Sequence, residues 1–381
     1  HGMLLMPSLV CAHTHLYSAF ARGLSLPFDP HNFKEILEQI WWQIDSKIDN
    51  EITFASAIAA GSNHLKNGVT TLFDHHASGT EISGSLGALK RALVDTLGMR
   101  AGLCFETSDR FPVEAALAEN LSLGNESTPT AASLFGLHAS LSLSDDTLQK
   151  IAAVRGDKPI HIHVAESRMD EDDSLKKSGL RVVERLAKAG LLSRDALLVH
   201  CVHVDDAELD LIKESGAVVA LNPSSNMNNG VGIADYSRMR TRQIPVIIGN
   251  DGLYPGMAQE YVNLLLTQHL RAQDPRAFSL VDLKQVIDET YRYASRRLRV
   301  KLGRIQPGFA ADLLLHPYSP STPMSAENAM SHLFYGVFGS FTPSHVYAGG
   351  NLLIDDYRFS AAVIDSRNLA TAAALKMWQR L

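Results

Sequence analysis

Eight short apolar runs separated by helical patterns dictate most of what this 381-residue chain can fold into. The runs are Leu4–His13, Val69–His75, Arg100–Glu106, Ser133–His138, Pro159–Val164, Ala196–Cys201, Ala217–Asn222 and Val246–Asn250. Each is apolar nearly throughout, as a strand buried on both faces must be, and helical periodicity fills most of the gaps between them. Strand–helix alternation of this kind implies a parallel sheet covered by helices. Eight such units imply an α/β fold of the (β/α)8 TIM-like barrel type. The residues beyond 305 change character. They read as a few short strands with a Gly349-Gly350 turn, then a terminal helix. Residues 1–305 are therefore expected to form the barrel, with 1–12 leading into its first strand. Residues 306–381 are expected to form a small, incomplete β-sandwich element plus a C-terminal helix, since so few strands bury no core alone.

The runs share a second property. Nearly all end in residues able to do chemistry: His13 and His15, Asp74 with His75 and His76, Glu106, His138, His163, His200, Asn222 and Asp251. Barrel enzymes build their sites at the C-terminal ends of the strands. The chain holds 16 histidines, and scattered surface histidines would not keep that register.

Composition removes several function classes. A net charge of 35 − 41 = −6 argues against a general nucleic-acid or anionic-membrane binder. No stretch approaches the roughly 20 apolar residues of a membrane helix. Residues 1–12 lack the basic start and cleavage site of a signal peptide. Cys11, Cys104 and Cys201 are dispersed, with no CxxC pair, and read as buried free thiols of a cytoplasmic protein.

His13-Thr14-His15 puts two imidazoles on one face of a strand. Alone, the pair is better read as two ordinary strand-end histidines. With His163 closing the fifth run and Asp251 the eighth, three nitrogens and a carboxylate form a set suited to one divalent ion, Zn²⁺ first and Fe²⁺ second, with a position left for water. A purely structural metal protein would fill every position with protein ligands instead.

His13-Thr-His15, His163-Val-Ala-Glu166, His200-Cys-Val-His203 and Asn250-Asp251-Gly252, in this order, resemble the motifs of the amidohydrolase superfamily, in its mononuclear deaminase/chlorohydrolase branch. Pro7 to Arg22, Asp74-His-His-Ala-Ser78, Asn222-Pro-Ser-Ser-Asn-Met-Asn-Asn229 and the β tail are similar to the SsnA-type aminohydrolases. The resemblance implies that His13, His15, His163 and Asp251 are metal ligands, that Glu166 and His200 act on substrate and water, and that the protein is a homodimer. Binuclear members bridge two metals with a modified lysine at the end of strand 4. Here that strand ends in His138 with no lysine nearby, so a single ion is expected. That favours attack on an aromatic or amidine-like carbon. The expected reaction is deamination of a small nitrogen heterocycle: Asp251 takes a proton from the activated water, His200 stabilises the intermediate, and Glu166 protonates the adjacent ring nitrogen. Loss of another leaving group, such as chloride from a triazine-like ring, is the alternative.

Substrate contacts are expected from His76 (or His75), Glu106, Arg110, His138 and Asn226, all at or just after strand ends. Arg110 reads equally as a carboxylate binder and as a loop partner of Asp109. His161 reads as a satisfied interior histidine. The acidic run 169–174 reads as a helix cap. Trp41 and Trp42 read as core packing or a dimer contact rather than as a stacking platform. Relatives usually carry several dozen residues before the first motif, whereas twelve precede His13. On that ground the tail strands 313–316 and 346–354 are expected to lack partners, with catalytic impairment as the consequence.

Overall fold

The computed structural model describes residues 2–359 and 361–381. Its strands, in chain order, are β1 Met3–Pro7, β2 Leu9–Thr14, β3 Val69–His76, β4 Arg100–Phe105, β5 Ala131–Ser133, β6 Phe135–Ala139, β7 Ile160–Val164, β8 Leu197–His200, β9 Val218–Leu221, β10 Val246–Ile248, β11 Leu313–Pro317, β12 His345–Ala348, β13 Asn351–Asp355 and β14 Arg358–Phe359. Strands β2-β3-β4-β5 form one sheet and β6-β7-β8-β9-β10 another, with every pair parallel. Backbone hydrogen bonds also join the two sheets. Leu134 N donates to Leu103 O (3.0 Å) and His138 N to Thr107 O (2.9 Å). At the other margin Asn250 N and Asp251 N both donate to His13 O, at 2.9 and 3.2 Å.

Helices cover the strands, and their ends are set by local chemistry. Asp49 accepts from Ile52 N at the start of helix Asn50–Lys66. Asp205 and Ser279 open Asp206–Ser215 and Leu280–Leu298 with reciprocal capping boxes. Gly179 and Gly216 end helices in the left-handed conformation that side chains resist. The period of two along β2 sorts its residues. Leu9 and Cys11 join the large core between strands and helices, while Val10 and Ala12 join a second cluster with Phe73, Val199 and Ile247. Tyr293 and Leu298 of helix Leu280–Leu298 complete that second cluster.

The first run corrects the sequence reading. Leu4–His13 is two strands, not one. Ser8 hands the chain over, its N–H bonding to Asp312 O (2.9 Å) while Leu9 N bonds to Gly68 O (2.8 Å). Strand β1 leaves the parallel sheets and pairs antiparallel with β11, Met3 opposite Pro317 and Pro7 opposite Leu313. The tail is a five-stranded sheet, β1-β11-β12-β13-β14. The tail strands thus have the partners they were expected to lack. Arg100 on β4 ties this sheet to the parallel strands through both oxygens of buried Asp312, at 2.7 and 2.8 Å. The C-terminal helix Ala361–Trp378 lies against helix Asn50–Lys66, burying Ala370, Ala373 and Met377 with Tyr17, Ile44 and Ile52. No described helix is long and apolar enough to cross a membrane, and the three cysteines are free and buried.

Candidate metal centre and substrate cavity

Residues that the sequence spreads over 239 positions meet at one end of the parallel strands. Ligand atoms of His13, His15, His163 and Asp251 all lie within 4.8 Å of one another. Asp251 Oδ1 sits 2.9 Å from His13 Nε2 and 3.1 Å from His15 Nε2. His15 Nε2 and His163 Nε2 face each other at 3.1 Å. The outer nitrogens are anchored. His15 Nδ1 donates to His75 O (2.7 Å) and His163 Nδ1 to His138 O (2.8 Å), which turns each Nε2 inward. His13 Nδ1 pairs with His161 Nε2 at 2.8 Å, so His161 is the satisfied interior histidine expected, and it also orients the His13 ring.

The electrostatics fit a cation. Burial pushes His13 down to about 3 and His163 well below the usual range, so both imidazoles are neutral at pH 7. Burial also pulls on His15, but the hydrogen bond and charge of Asp251 outweigh it and raise it to about 9. Burial would raise Asp251, yet hydrogen bonds from His13 and His15 hold it well below the carboxylate range. Without a metal, a proton is thus held at the point where the ligand atoms converge. Three imidazoles and one carboxylate match the preferences of Zn²⁺ or Fe²⁺ better than those of the oxygen-seeking Mg²⁺ and Ca²⁺.

Glu166 and His200 stand beside this cluster. His200 Nε2 is 3.3 Å from Glu166 Oε2 and 3.9 Å from Asp251 Oδ2. The Asn226 amide donates to His200 Nδ1 (2.9 Å), so the imidazole proton resides on Nε2, a buried atom without a hydrogen-bond partner. Glu166 is raised well above the carboxylate range by burial, then by the charge of Asp251. Asn229 Nδ2 donates to its Oε1 at 3.2 Å. Four non-glycine residues at these strand ends, Ala165, His200, Cys201 and Asp251, have positive φ of 46°, 71°, 51° and 55°. Such backbone costs of order 1–3 kcal/mol per residue and is held here by the surrounding bonds.

An open cavity of about 1170 Å³ lies over the cluster, with Tyr17, Trp42, Glu106, His138, Glu166 and Asp251 among its walls. Of the expected substrate contacts, Glu106 and His138 line it. His76 does not. It is fully buried, facing Thr53 Oγ1 at 3.3 Å, while His75 takes the inward position. Asn226 acts through His200 rather than lining the cavity. Arg110 is neither free nor paired with Asp109. Its guanidinium bonds Asp45 (2.9 Å) and Glu106 (2.8 Å) and lies over the Trp42 and Phe111 rings. Asp109 instead accepts from Ser144 N and Thr147 Oγ1. Trp41 packs against the core cluster of Ile44, Ile48 and Ile52 as expected, and helical residues 33–45 also carry both Trp41 and Trp42 to the cavity wall. The acidic run places Asp170 and Glu171 in the first turn of helix Arg168–Ser178 but does not cap it: Asp170 accepts from Ala165 N (2.8 Å) and Leu141 N (3.2 Å), both outside the helix.

Sequence reasoning missed Tyr17, Asp45 and Asn229. Ser225 donates to Asp251 Oδ2 (2.5 Å) and Asn229 Nδ2 to Ser225 Oγ (3.3 Å). Their four-residue spacing just after β9 was the available signal. Asp45 and Tyr17 gave no local signal, since only the tertiary fold brings them over the strand ends.

Comparison with known proteins agrees with this architecture. The 5'-deoxyadenosine deaminase of Methanothermobacter thermautotrophicus is 28% identical over 99% of this chain and 88% of its own length. The 5-methylthioadenosine/S-adenosylhomocysteine deaminase of Nitratidesulfovibrio vulgaris is 30% identical over 94% of this chain and 81% of its own. Among solved structures, a zinc-bound adenosine deaminase from Xanthomonas campestris superposes with a TM-score of 0.82 at 22% identity, covering 98% of this chain and 86% of that one. The profile of the amidohydrolase family matches residues 4–353, and the chain belongs to that family.

Proposed function

We propose that this protein is a metal-dependent aminohydrolase that releases ammonia from a ring carbon of a small nitrogen heterocycle. The observation that carries the reading is the convergence of three imidazoles and Asp251 within 4.8 Å, with the protonatable Glu166 and the Nε2 proton of His200 beside them. The sequence relatives, named as deaminases of adenosine derivatives, support it. Hydrogen bonds at both sheet margins support a closed barrel holding the site, eight-stranded when β5 and β6, which only Leu134 separates, count as one, with the β1-containing sheet as its sandwich element.

His13, His15, His163 and Asp251 would hold one divalent ion, zinc first. That ion supplies Lewis acidity and lowers the pKa of water towards about 7. The remaining chemistry belongs to side chains. Asp251 accepts a proton from the attacking water through the oxygen that Ser225 orients. His200 donates from Nε2 to the oxygen gained by the attacked carbon. Glu166, kept protonated by burial, gives its proton to the neighbouring ring nitrogen. The carbon–amine bond then breaks after proton return to the amine, giving ammonia and a ring carbonyl. Glu166→Gln keeps the carboxyl's shape but not its proton. This variant should retain its metal content and lose about 10²-fold or more in kcat. Ammonia release from aminopurines, aminopyrimidines and aminotriazines, and chloride release from a chlorinated aminotriazine, with metal content by atomic absorption, test both parts. Full activity of the variant, or chloride release without ammonia release, contradicts the reading.

A further inference from the structure

We infer that the end of the cavity beside Glu106 selects substrates by N–H donors on the ring edge opposite the leaving amine, and that it rejects rings carrying a carboxylate there. The inference rests on the aminohydrolase reading and concerns the same cavity. Two carboxylates, Asp45 and Glu106, have side chains only 2% and 3% exposed, and both line the cavity. They share a single guanidinium, Arg110, which donates Nη2 to Asp45 Oδ2 at 2.9 Å and to Glu106 Oε1 at 2.8 Å. Both carboxyls draw on this one cation, and its Nη2 is spent between them. Arg110 lies over Trp42 (4.8 Å) and Phe111 (4.7 Å), so it is fixed behind the carboxylates and closed to an anion. Its geometry withdraws from this wall a group that would otherwise welcome a carboxylate.

The neighbouring groups also accept rather than donate. Ser142 Oγ gives its hydrogen to Ala139 O (3.1 Å), so His138 Nδ1 must donate to Ser142 Oγ (2.6 Å). That fixes a lone pair on His138 Nε2, which is 3.9 Å from Glu106 Oε1. Glu106 Oε2 faces His75 Nδ1 at 3.6 Å, longer than a hydrogen bond, so this oxygen retains acceptor capacity. Trp42 adds a flat aromatic wall. A Glu106 oxygen lies within 4.8 Å of a His15 nitrogen, so a single ring can reach both the metal ligands and this acceptor cluster. The complementary chemistry is a planar, neutral or cationic ring edge bearing N–H groups. A site built from unmet acceptors discriminates strongly against a ligand that cannot fill them.

The test uses the metal-loaded protein and matched ring pairs: cytosine against 1-methylcytosine, and melamine against 2-amino-4,6-dimethoxytriazine. A carboxylated member of each ring type is added. Equilibrium binding by tryptophan fluorescence and kcat/KM by ammonia release are both read. The N–H-bearing member of at least one pair should bind at least about tenfold more tightly than its methylated or methoxylated partner, and the carboxylated ring should bind worst. In Glu106→Gln the donor preference should fall to within about threefold and the carboxylated ring should gain. His138→Gln, which leaves Arg110 its two carboxylates, should weaken the donor preference in part. Deamination of both members of each pair with equal binding overturns this inference and leaves the aminohydrolase reading intact. Donor-selective binding with no ammonia from any ring supports the inference and counts against that reading. Tighter binding of the carboxylated ring, or binding by none of them, overturns the inference.

Discussion

Gly249 has no side chain because none fits. A Cβ there would lie 2.6 Å from His13 O, 2.7 Å from His13 N and 2.7 Å from Asn222 Oδ1, closer than side-chain carbons come. Asn250 N and Asp251 N both donate to the same His13 carbonyl, so relieving that clash moves His13 and Asp251 of the proposed metal centre together. Gly249→Ala should therefore fold yet lose about 10–100-fold in zinc affinity, the usual cost of disturbing the support of a ligand. Competition against a chromophoric chelator measures this, and wild-type affinity in the variant would show that the backbone here adapts. The same residues explain what the sequence revealed. His13, His15, His163, Glu166, His200 and Asp251 stand at or just past strand ends, and apolar runs mark strand ends locally. The choice between His75 and His76 was not legible. The stretch Asp74-His75-His76 is polar throughout, so no alternation of polarity fixes which side chain turns inward, and a one-residue error reverses the answer.

Elements far from the strand ends shape the cavity wall. Helical residues 33–45 carry Trp41, Trp42 and Asp45 over the site, and they rest on Ile44, Ile48 and Ile52, which the C-terminal helix covers with Met377. Trp378 Nε1 donates to Phe20 O (2.7 Å) and Arg380 bonds Asp49 (2.6 Å), which fixes that helix against the segment following β2. Met377 is fully buried. Met377→Ala should cost about 2–5 kcal/mol in stability. It should raise KM for any ring while kcat changes little, since the ligand cluster lies on other elements. Urea unfolding and steady-state kinetics check both, and a fall in kcat at constant KM would contradict this division of labour. The terminal helix is legible as a helix from its sequence. Its docking surface is not, because it covers residues more than 300 positions away. Strand β1 was hidden for a related reason. The apolar run continues through Pro7 and Ser8, and only the distant partner β11 divides it.

Across the whole molecule, burial acts on histidines and carboxyls with opposite consequences for acid stability. His64 is buried and pushed down to about 4, bonding Ala60 O and the Asn250 amide. Between pH 4 and its ordinary 6.5 the unfolded chain binds the extra proton. Its contribution is therefore complete above 6.5 and is lost as pH falls. Glu260, bonded to Ser224 N, is raised by burial to about 8 from its ordinary 4.5. There the folded state binds the extra proton, so stability is lost as pH rises through that window. Each proton is worth about 1.4 kcal/mol per pH unit. Where the windows overlap, between pH 4.5 and 6.5, the two slopes cancel. Other buried groups repeat the opposition, with His76 and His138 lowered and Asp74 and Asp170 raised, mainly by burial. In metal-free protein, His64→Gln should tilt the stability curve towards greater relative stability at low pH by up to about 1.4 kcal/mol per unit. Glu260→Gln should tilt it by a similar amount in the other direction, and the double variant should regain the wild-type slope between pH 4.5 and 6.5. Urea unfolding in half-unit steps of pH reads all three slopes. Parallel curves for the four proteins would mean that neither group leaves its ordinary pKa on folding, and that a fold so rich in buried ionisable side chains stays insensitive to acid without this cancellation.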